Sequence, residues 1–295
     1  MKLYPYLQLM RPPNLVTAVS DIWAGMALAG YLNEITWTST DLTPFILLSI
    51  ASVCLYAGGV VFNDVFDAAL DSIERPERPI PSGRISIKTA RILGSILLVI
   101  SILLSFFIHV ASGTIAIIVS VLALVYDKWG KHQSLVGPIN MGLCRGGNLL
   151  LGISIIPAAI SSVWWLSIVP VIYIAAVTII SRGEVHGSPR SYLFFALFLY
   201  VIVIAAITSA AFFRKNIIET LPFLVVFGIM VLPALFKAIR TLKPSMIGKA
   251  VKAGVLGLIL LNASWVAASA SIAWAVITAL LLPFSMLLAK PFAVT

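Results

Sequence analysis

The sequence predicts an all-α integral membrane protein, a bundle of nine or ten transmembrane helices, and three observations carry that prediction. Of the 295 residues 60% are hydrophobic and only 11% are charged, with a mean hydropathy of +1.06, far from the balance of a soluble domain. The apolar residues gather into runs long enough to cross a bilayer core of roughly 30 Å as helix. No run alternates apolar and polar residues as a half-buried strand would.

The runs fall at 13–32, 44–66, 89–109, 112–126, 138–159, 162–181, 191–213, 217–239, 251–270 and 272–289. The first opens at "MRPPNL", where proline suits the first turn of a helix. It continues as a full span, so no cleavable leader is expected. The fourth run is short and the last two are barely separated, which leaves the count at nine or ten. No soluble domain or low-complexity tract interrupts the series, and residues 1–295 read as a single transmembrane domain.

The net charge of +9 follows the same layout. With a cytoplasmic N-terminus and ten spans, 17 of the 20 Lys and Arg lie on the cytoplasmic side, Arg214 and Lys215 lie opposite, and Arg145 falls within a span. This positive-inside bias implies a multi-pass protein of the cell membrane with its motif loops in the cytoplasm. It accounts for the basicity without nucleic acid, and it leaves cations to attract membrane lipid or an anionic substrate. Cys54 and Cys144 lie within apolar runs with no His or Cys partner at a ligand spacing, and read as packing residues.

The second run ends in "VVFNDVFDAALDSIERPERPIPSGR", residues 60–84. At about 100° per residue, Asp64, Asp67 and Asp71 fall within an arc of roughly 60° on one helix face, beside Asn63. Three carboxylates near hydrocarbon are unfavourable unless a cation neutralises them. Hard oxygen ligands suit Mg²⁺, which takes one or two carboxylates together with phosphate oxygens. The following Arg75, Arg78 and Arg84 stand among prolines that disfavour helix, and guanidinium groups grip phosphate in pairs. The other reading of that loop is internal pairing of its arginines with Glu74 and Glu77.

With its N-D-x-x-D-x-x-x-D signature at the end of the second helix, the chain resembles the UbiA superfamily of intramembrane prenyltransferases. "NDVFDAALDSIERPERPIPSGR" and the later "SRGEVHG" are most similar to its EboC-like branch. The resemblance implies a UbiA-type bundle around a central cavity open near the cytoplasmic side. It implies a prenyl diphosphate donor, Mg²⁺ as cofactor, and Asp64, Asp67 and Asp71 as metal ligands that act in catalysis. Asn63, Arg75 and Arg78 would then bind substrate.

The resemblance gives weight to further positions. "YDKWGK" places Tyr126 and Lys131 at the family's Tyr-to-Lys spacing, with Lys131 expected to approach the diphosphate and Lys128 as a near substitute. Without the resemblance the two lysines read as positive-inside decoration of a loop. "CRGGNLLLG" puts Arg145 and Asn148 into a span, where an ionisable residue needs a partner. Diphosphate and an Asp both qualify, and an Arg two turns from the loop can also snorkel. Gly142, Gly146, Gly147 and Gly152 permit close helix packing.

The second family signature, a pair of aspartates after the sixth helix, is replaced by "SRGEVHGSPR". Glu184 is its one acid, expected to hold metal and act in catalysis, and Arg182, His186 and Arg190 surround it, with Arg182 and His186 as substrate-binding candidates. Near the chain start, Asn14 matches a family Asn, and Asp21 lies seven residues on, on the same face. Asn262 is a further polar residue in the ninth run.

The function implied is Mg²⁺-dependent transfer of a prenyl group from a polyprenyl diphosphate to an aromatic or other small acceptor within the membrane. The sequence identifies neither the acceptor, the prenyl length nor the oligomeric state. A non-catalytic protein that binds or transports an isoprenoid is the second reading, favoured by the altered second motif. A secondary transporter is the third, but such proteins show interrupted helices in both repeats and have no use for an aspartate triad followed by phosphate-gripping arginines.

Overall fold

The structure, a computed structural model, describes residues 3–35, 42–185 and 187–292, and among these it is helical with no strand. In a bilayer that is the expected solution, because a helix satisfies its own backbone where no water can. The helices are α1 Tyr4–Met10, α2 Pro12–Leu28, α3 Tyr31–Glu34, α4 Thr43–Phe66, α5 Ala68–Glu74, α6 Ile87–Ile108 and α7 Val110–Lys128. They continue with α8 Val136–Ile153, α9 Pro157–Val163, α10 Ile168–Ser181, α11 Arg190–Phe213, α12 Ile217–Thr241, α13 Pro244–Ser269, α14 Ile272–Ala279 and α15 Leu281–Leu288. A short 3₁₀ segment joins α9 to α10 in one rod, Pro157–Ser181.

Among the described residues seven of these rods are long and apolar enough to cross a membrane. They are α4, α6, α7, α9–α10, α11, α12 and α13, and they make the chain a multi-pass membrane protein. The expected nine or ten spans would add α2 with 17 residues, α8 with 18 and the broken pair α14–α15. Several boundaries differ from the apolar runs. The run at 138–159 ends as helix at Ile153, because Pro157 starts a new helix there. The run at 251–270 begins as helix at Pro244, where a proline at the first position suits helix entry.

Local chemistry explains the breaks. His109 adopts an extended backbone, and its Nδ1 accepts the Ala111 amide at 3.0 Å, capping α7. Ser86 does the same for α6 through Thr89. Pro222 and Pro233 lie inside α12, which is tolerable where neighbouring helices cover the backbone.

Small residues set the core. A Cβ on Gly25 would stand 2.2 Å from the Leu149 carbonyl oxygen, and one on Gly152 would stand 2.4 Å from that of Ile22. Glycine therefore lets α2 and α8 touch backbone to backbone. That contact brings Asp21 of α2 alongside Arg145 and Asn148 of α8. Behind them α13 is the innermost rod, with 83% of its apolar window buried against 22% for α6, which faces outward.

Candidate functional site

The N-terminal segment and four interhelical loops meet at one end of the bundle. Arg84 reaches Gln8 at 2.7 Å, Lys131 reaches Asp67, Arg182 reaches the carbonyls of Gln133 and Ser134, and Gly187 approaches Leu242. Both motif regions are at this end.

The aspartate face is not one continuous helix. Helix α4 ends at Phe66, Asp67 adopts φ −86° and ψ 0°, and α5 restarts at Ala68. The break separates the triad. Asp64 and Asp71 both meet Arg78, whose Nη1 lies 3.4 Å from Asp64 Oδ1 and 2.7 Å from Asp71 Oδ2. Asp67 turns instead to Lys131. The expectation of three converging carboxylates joined by Glu184 is therefore corrected: among the described residues no three acidic, His or Cys side chains come close enough to hold a metal.

Arg11, which the sequence reading passed over, completes the first cluster. The two prolines after it disfavour an α-helical backbone at the preceding residue, and Arg11 takes the left-handed conformation with φ 49°, at roughly 1–2 kcal/mol for a non-glycine residue. That kink joins α1 to α2 and sets Arg11 Nη2 2.7 Å from Asp64 Oδ1. Asp64 thus receives two guanidinium groups while only 4% exposed. The signal in the sequence was a cation placed directly before two prolines.

A cavity of about 250 Å³ opens between α4, α7 and α8, with Arg11, Tyr56, Asn63, Tyr126, Asp127, Cys144, Arg145 and Asn148 among its lining residues and apolar Leu55, Val60, Val119 and Met141 between them. Asp64, Asp67, Asp71 and Glu184 are not in its wall. The first motif contributes Asn63 alone, whose Nδ2 donates to Asp127 Oδ1 at 2.9 Å. Asp127 and Tyr56 were also missed in the sequence. The signal for Asp127 was an acid at the very end of an apolar run, between the noted Tyr126 and Lys128.

Deeper in the cavity Arg145 is anchored rather than snorkelling. Its Nη1 donates to Asp21 Oδ2 at 2.7 Å and its Nη2 to Thr17 Oγ1 at 2.5 Å, and its guanidinium lies 4.6 Å over the Tyr56 ring. Asn148 Nδ2 donates to the same Asp21 oxygen at 3.1 Å, and Asn262 Nδ2 to Asp21 Oδ1 at 2.7 Å. One carboxylate from α2 thereby ties α8 to α13. Asn14 is buried in the first turn of α2, where its carbonyl accepts from Thr17, and it is not in the cavity wall.

The remaining candidates lie apart. Lys128 stacks over Trp129 at 4.3 Å and leaves the approach to Lys131. Arg182 is exposed and engaged with loop carbonyls. Glu184 is half-buried beside Gly248, and burial holds its carboxyl above the usual range while Arg75 pulls it partly back. Arg75 therefore faces the second motif region. His186 lies outside the described residues.

The cluster fits a divalent cation with a smaller ligand set than the triad. Arg78 Nη1 shows that one positive group reaches Asp64 and Asp71 together. Two carboxylates, with waters and substrate phosphate oxygens, make a usual Mg²⁺ set.

A model of the UbiA prenyltransferase family matches residues 18–186. Among curated proteins the chain is similar to digeranylgeranylglyceryl phosphate synthase of Ignicoccus hospitalis, at 34% identity over 51% of this chain and 47% of that one. It is similar also to the enzyme of the same name from Sulfolobus acidocaldarius, at 35% identity over 63% and 64%. The chain spans about half the length of most of the curated relatives it matches. Among solved structures, a UbiA homologue from Aeropyrum pernix K1 matches with a TM-score of 0.66 at 15% identity, over 85% of this chain and 96% of that one. A UbiA homologue from Archaeoglobus fulgidus bound to GPP and Mg²⁺ matches at 0.53 and 14% identity, over 97% and 99%. At these identities the structures establish a common fold.

Proposed function

The chain belongs to the UbiA prenyltransferase family, and we propose that it transfers a prenyl group from a polyprenyl diphosphate to an aromatic or other small acceptor inside the membrane. One observation carries the reading: Arg78 bridges Asp64 and Asp71, and Asp64 also meets Arg11, which lines the cavity together with Asn63 and Arg145. The names of relatives and the ligands of the Archaeoglobus fulgidus homologue support the same class of donor and metal.

Asp64 and Asp71 would hold Mg²⁺, which when bound neutralises diphosphate oxygens and improves the leaving group. Arg78 and Arg11, which lie beside these carboxylates, would grip the diphosphate, since guanidinium binds phosphate as readily as carboxylate. Lys131 and its partner Asp67 close the same rim. The prenyl chain follows the apolar wall of Leu55, Val60, Val119 and Met141, where the scarcity of water protects an allylic cation from hydrolysis. Membrane lipid surrounds the site, and the motif loops face the cytoplasm by the positive-inside bias. In the EboC-like branch we place it on "NDVFDAALDSIERPERPIPSGR" and "SRGEVHG".

The lone Glu184 and the engagement of Arg182 with loop carbonyls favour, as a second reading, an isoprenoid binder without turnover. Incubation of the purified protein with labelled geranyl, farnesyl and geranylgeranyl diphosphates, Mg²⁺ and a lipid extract of the source cells separates the two. Diphosphate release that disappears in Asp64→Ala and Asp71→Ala supports transfer. Tight donor binding with no release, across all donors, establishes the binder.

A further inference from the structure

Five aspartates lie among the described residues, and four of them meet a cation: Asp21 with Arg145, Asp64 with Arg11 and Arg78, Asp67 with Lys131, and Asp71 with Arg78. Asp127 meets none within ion-pair distance. It is 5% exposed and lines the cavity, its Oδ1 is held by the Asn63 amide at 2.9 Å, and among the described residues Oδ2 accepts no hydrogen bond. The charged and titratable groups around it are Arg11, Asp67 and Lys131, each cation already engaged by another aspartate, with Tyr126 and Cys144 on its remaining sides. A carboxylate left without a counter-charge at a membrane boundary is unfavourable and marks a functional position.

We propose that Asp127 is the proton acceptor of the transfer reaction, and that the acceptor substrate is a hydroxyl compound, an alcohol or phenol, whose O–H is held by Asp127 Oδ2. The proposal rests on the prenyl-transfer reading and deepens it. The donor's C1–O bond breaks and its electron pair leaves with the diphosphate. The acceptor oxygen supplies the pair for the new bond to C1, and its proton passes to Asp127. Asn63 anchors one oxygen of a carboxylate that lines the cavity and leaves the other without a hydrogen bond among the described residues. A carbon nucleophile without a hydroxyl would leave that oxygen unpartnered, and a buried polar group without its partner is what sites discriminate against most strongly.

The test uses the full chain in lipid nanodiscs with Mg²⁺ and geranylgeranyl diphosphate. The acceptor probes are geranylgeranylglyceryl phosphate, 4-hydroxybenzoate and, as a carbon nucleophile lacking a hydroxyl, indole. An ether, with the prenyl group on the probe's hydroxyl oxygen, is expected from a hydroxyl probe and no product from indole; 4-hydroxybenzoate prenylated only on a ring carbon overturns the assignment. Asp127→Asn, which still accepts the Asn63 bond, should lower turnover by about 10²–10⁴-fold, the usual contribution of a positioned base. It should abolish the acidic limb of the kcat profile and leave the Kd for geranylgeranyl diphosphate within about twofold. Asp127→Gly should regain rate with added formate, a rescue that a structural role does not give. Retention of the wild-type rate and limb in Asp127→Asn overturns the assignment alone. So does a rise in donor Kd matching the loss of rate, which moves Asp127 into the donor site, or product from indole alone. Failure of the wild-type protein to release diphosphate with any probe overturns the prenyl-transfer reading, and the assignment with it.

Discussion

The carboxylates at the end of α4 and the single carboxylate after α10 stand at the same end of the bundle, yet their charge is balanced in opposite ways. Asp64, Asp67 and Asp71 are met by Arg11, Arg78 and Lys131, drawn from three separate stretches of chain. Among the described residues Glu184 has the longer-range field of Arg75 and no ion pair, and its neighbour Arg182 is engaged by the carbonyls of Gln133 and Ser134. A cluster with its own cations can exchange them for a metal and a diphosphate without leaving charge buried and unpaired. A lone half-buried carboxylate has no such cations to exchange, which is why the proposed donor site is placed at the first region, while Arg182 of the second is bonded to loop carbonyls.

The strongest way to break this comparison is Asp64→Asn. It removes the group that both Arg11 and Arg78 meet, and turnover measured as diphosphate release should fall by about 10²–10³-fold, the scale for losing a main electrostatic element of a site. The same substitution in the second region, Glu184→Gln, should leave turnover nearly unchanged. An equal loss in both variants would restore a two-metal site and end the distinction.

A second contrast lies deeper. Asp21→Asn strands Arg145 without its counter-charge, and removing one partner of a buried pair costs about 3–5 kcal/mol, measurable by unfolding in detergent. Replacing both partners, Asp21→Leu with Arg145→Met, should recover most of that stability, because apolar groups of similar volume substitute well for buried pairs. Donor turnover should stay low, since of the two cations that line the cavity only Arg11 then remains.

The smallest effects belong to the second motif. Arg182→Ala removes two charge-assisted bonds to loop carbonyls and should lower stability by about 1–2 kcal/mol. Glu184 has its carboxyl raised by burial, so the folded chain holds that proton more tightly than the unfolded chain. Its stabilising effect is complete below the ordinary carboxylate range and is lost as pH rises through the raised folded value. Glu184→Gln should therefore unfold later than wild type at neutral pH and together with it in acid, as a pH series of thermal unfolding would show.

Much of this was legible in the residues. The apolar runs located the rods because a bilayer admits little else, and "NDVFDAALD" announced a cation site because carboxylates near hydrocarbon require one. Periodicity also misled. It placed Asp64, Asp67 and Asp71 on one face by assuming an unbroken helix, whereas the break at Asp67 sends that side chain to Lys131. Arg145 was visible as a charge in need of a partner, but the choice of Asp21, 124 residues away, follows from the Gly25 and Gly152 contact between α2 and α8. Arg11 and Asp127 went unnoticed because each sits at the end of a run, where a single charge is ordinary.

By itself the sequence determined the class of the protein and its rods, and it marked a charged cluster at one end, because hydropathy and residue type act locally and need no knowledge of neighbours. Among the described residues, which aspartate meets which cation, and which one meets none, was decided only by the tertiary structure. Pairing depends on distances between residues far apart in the chain, and small-residue contacts between helices, a proline-forced kink at Arg11 and the break at Asp67 set those distances.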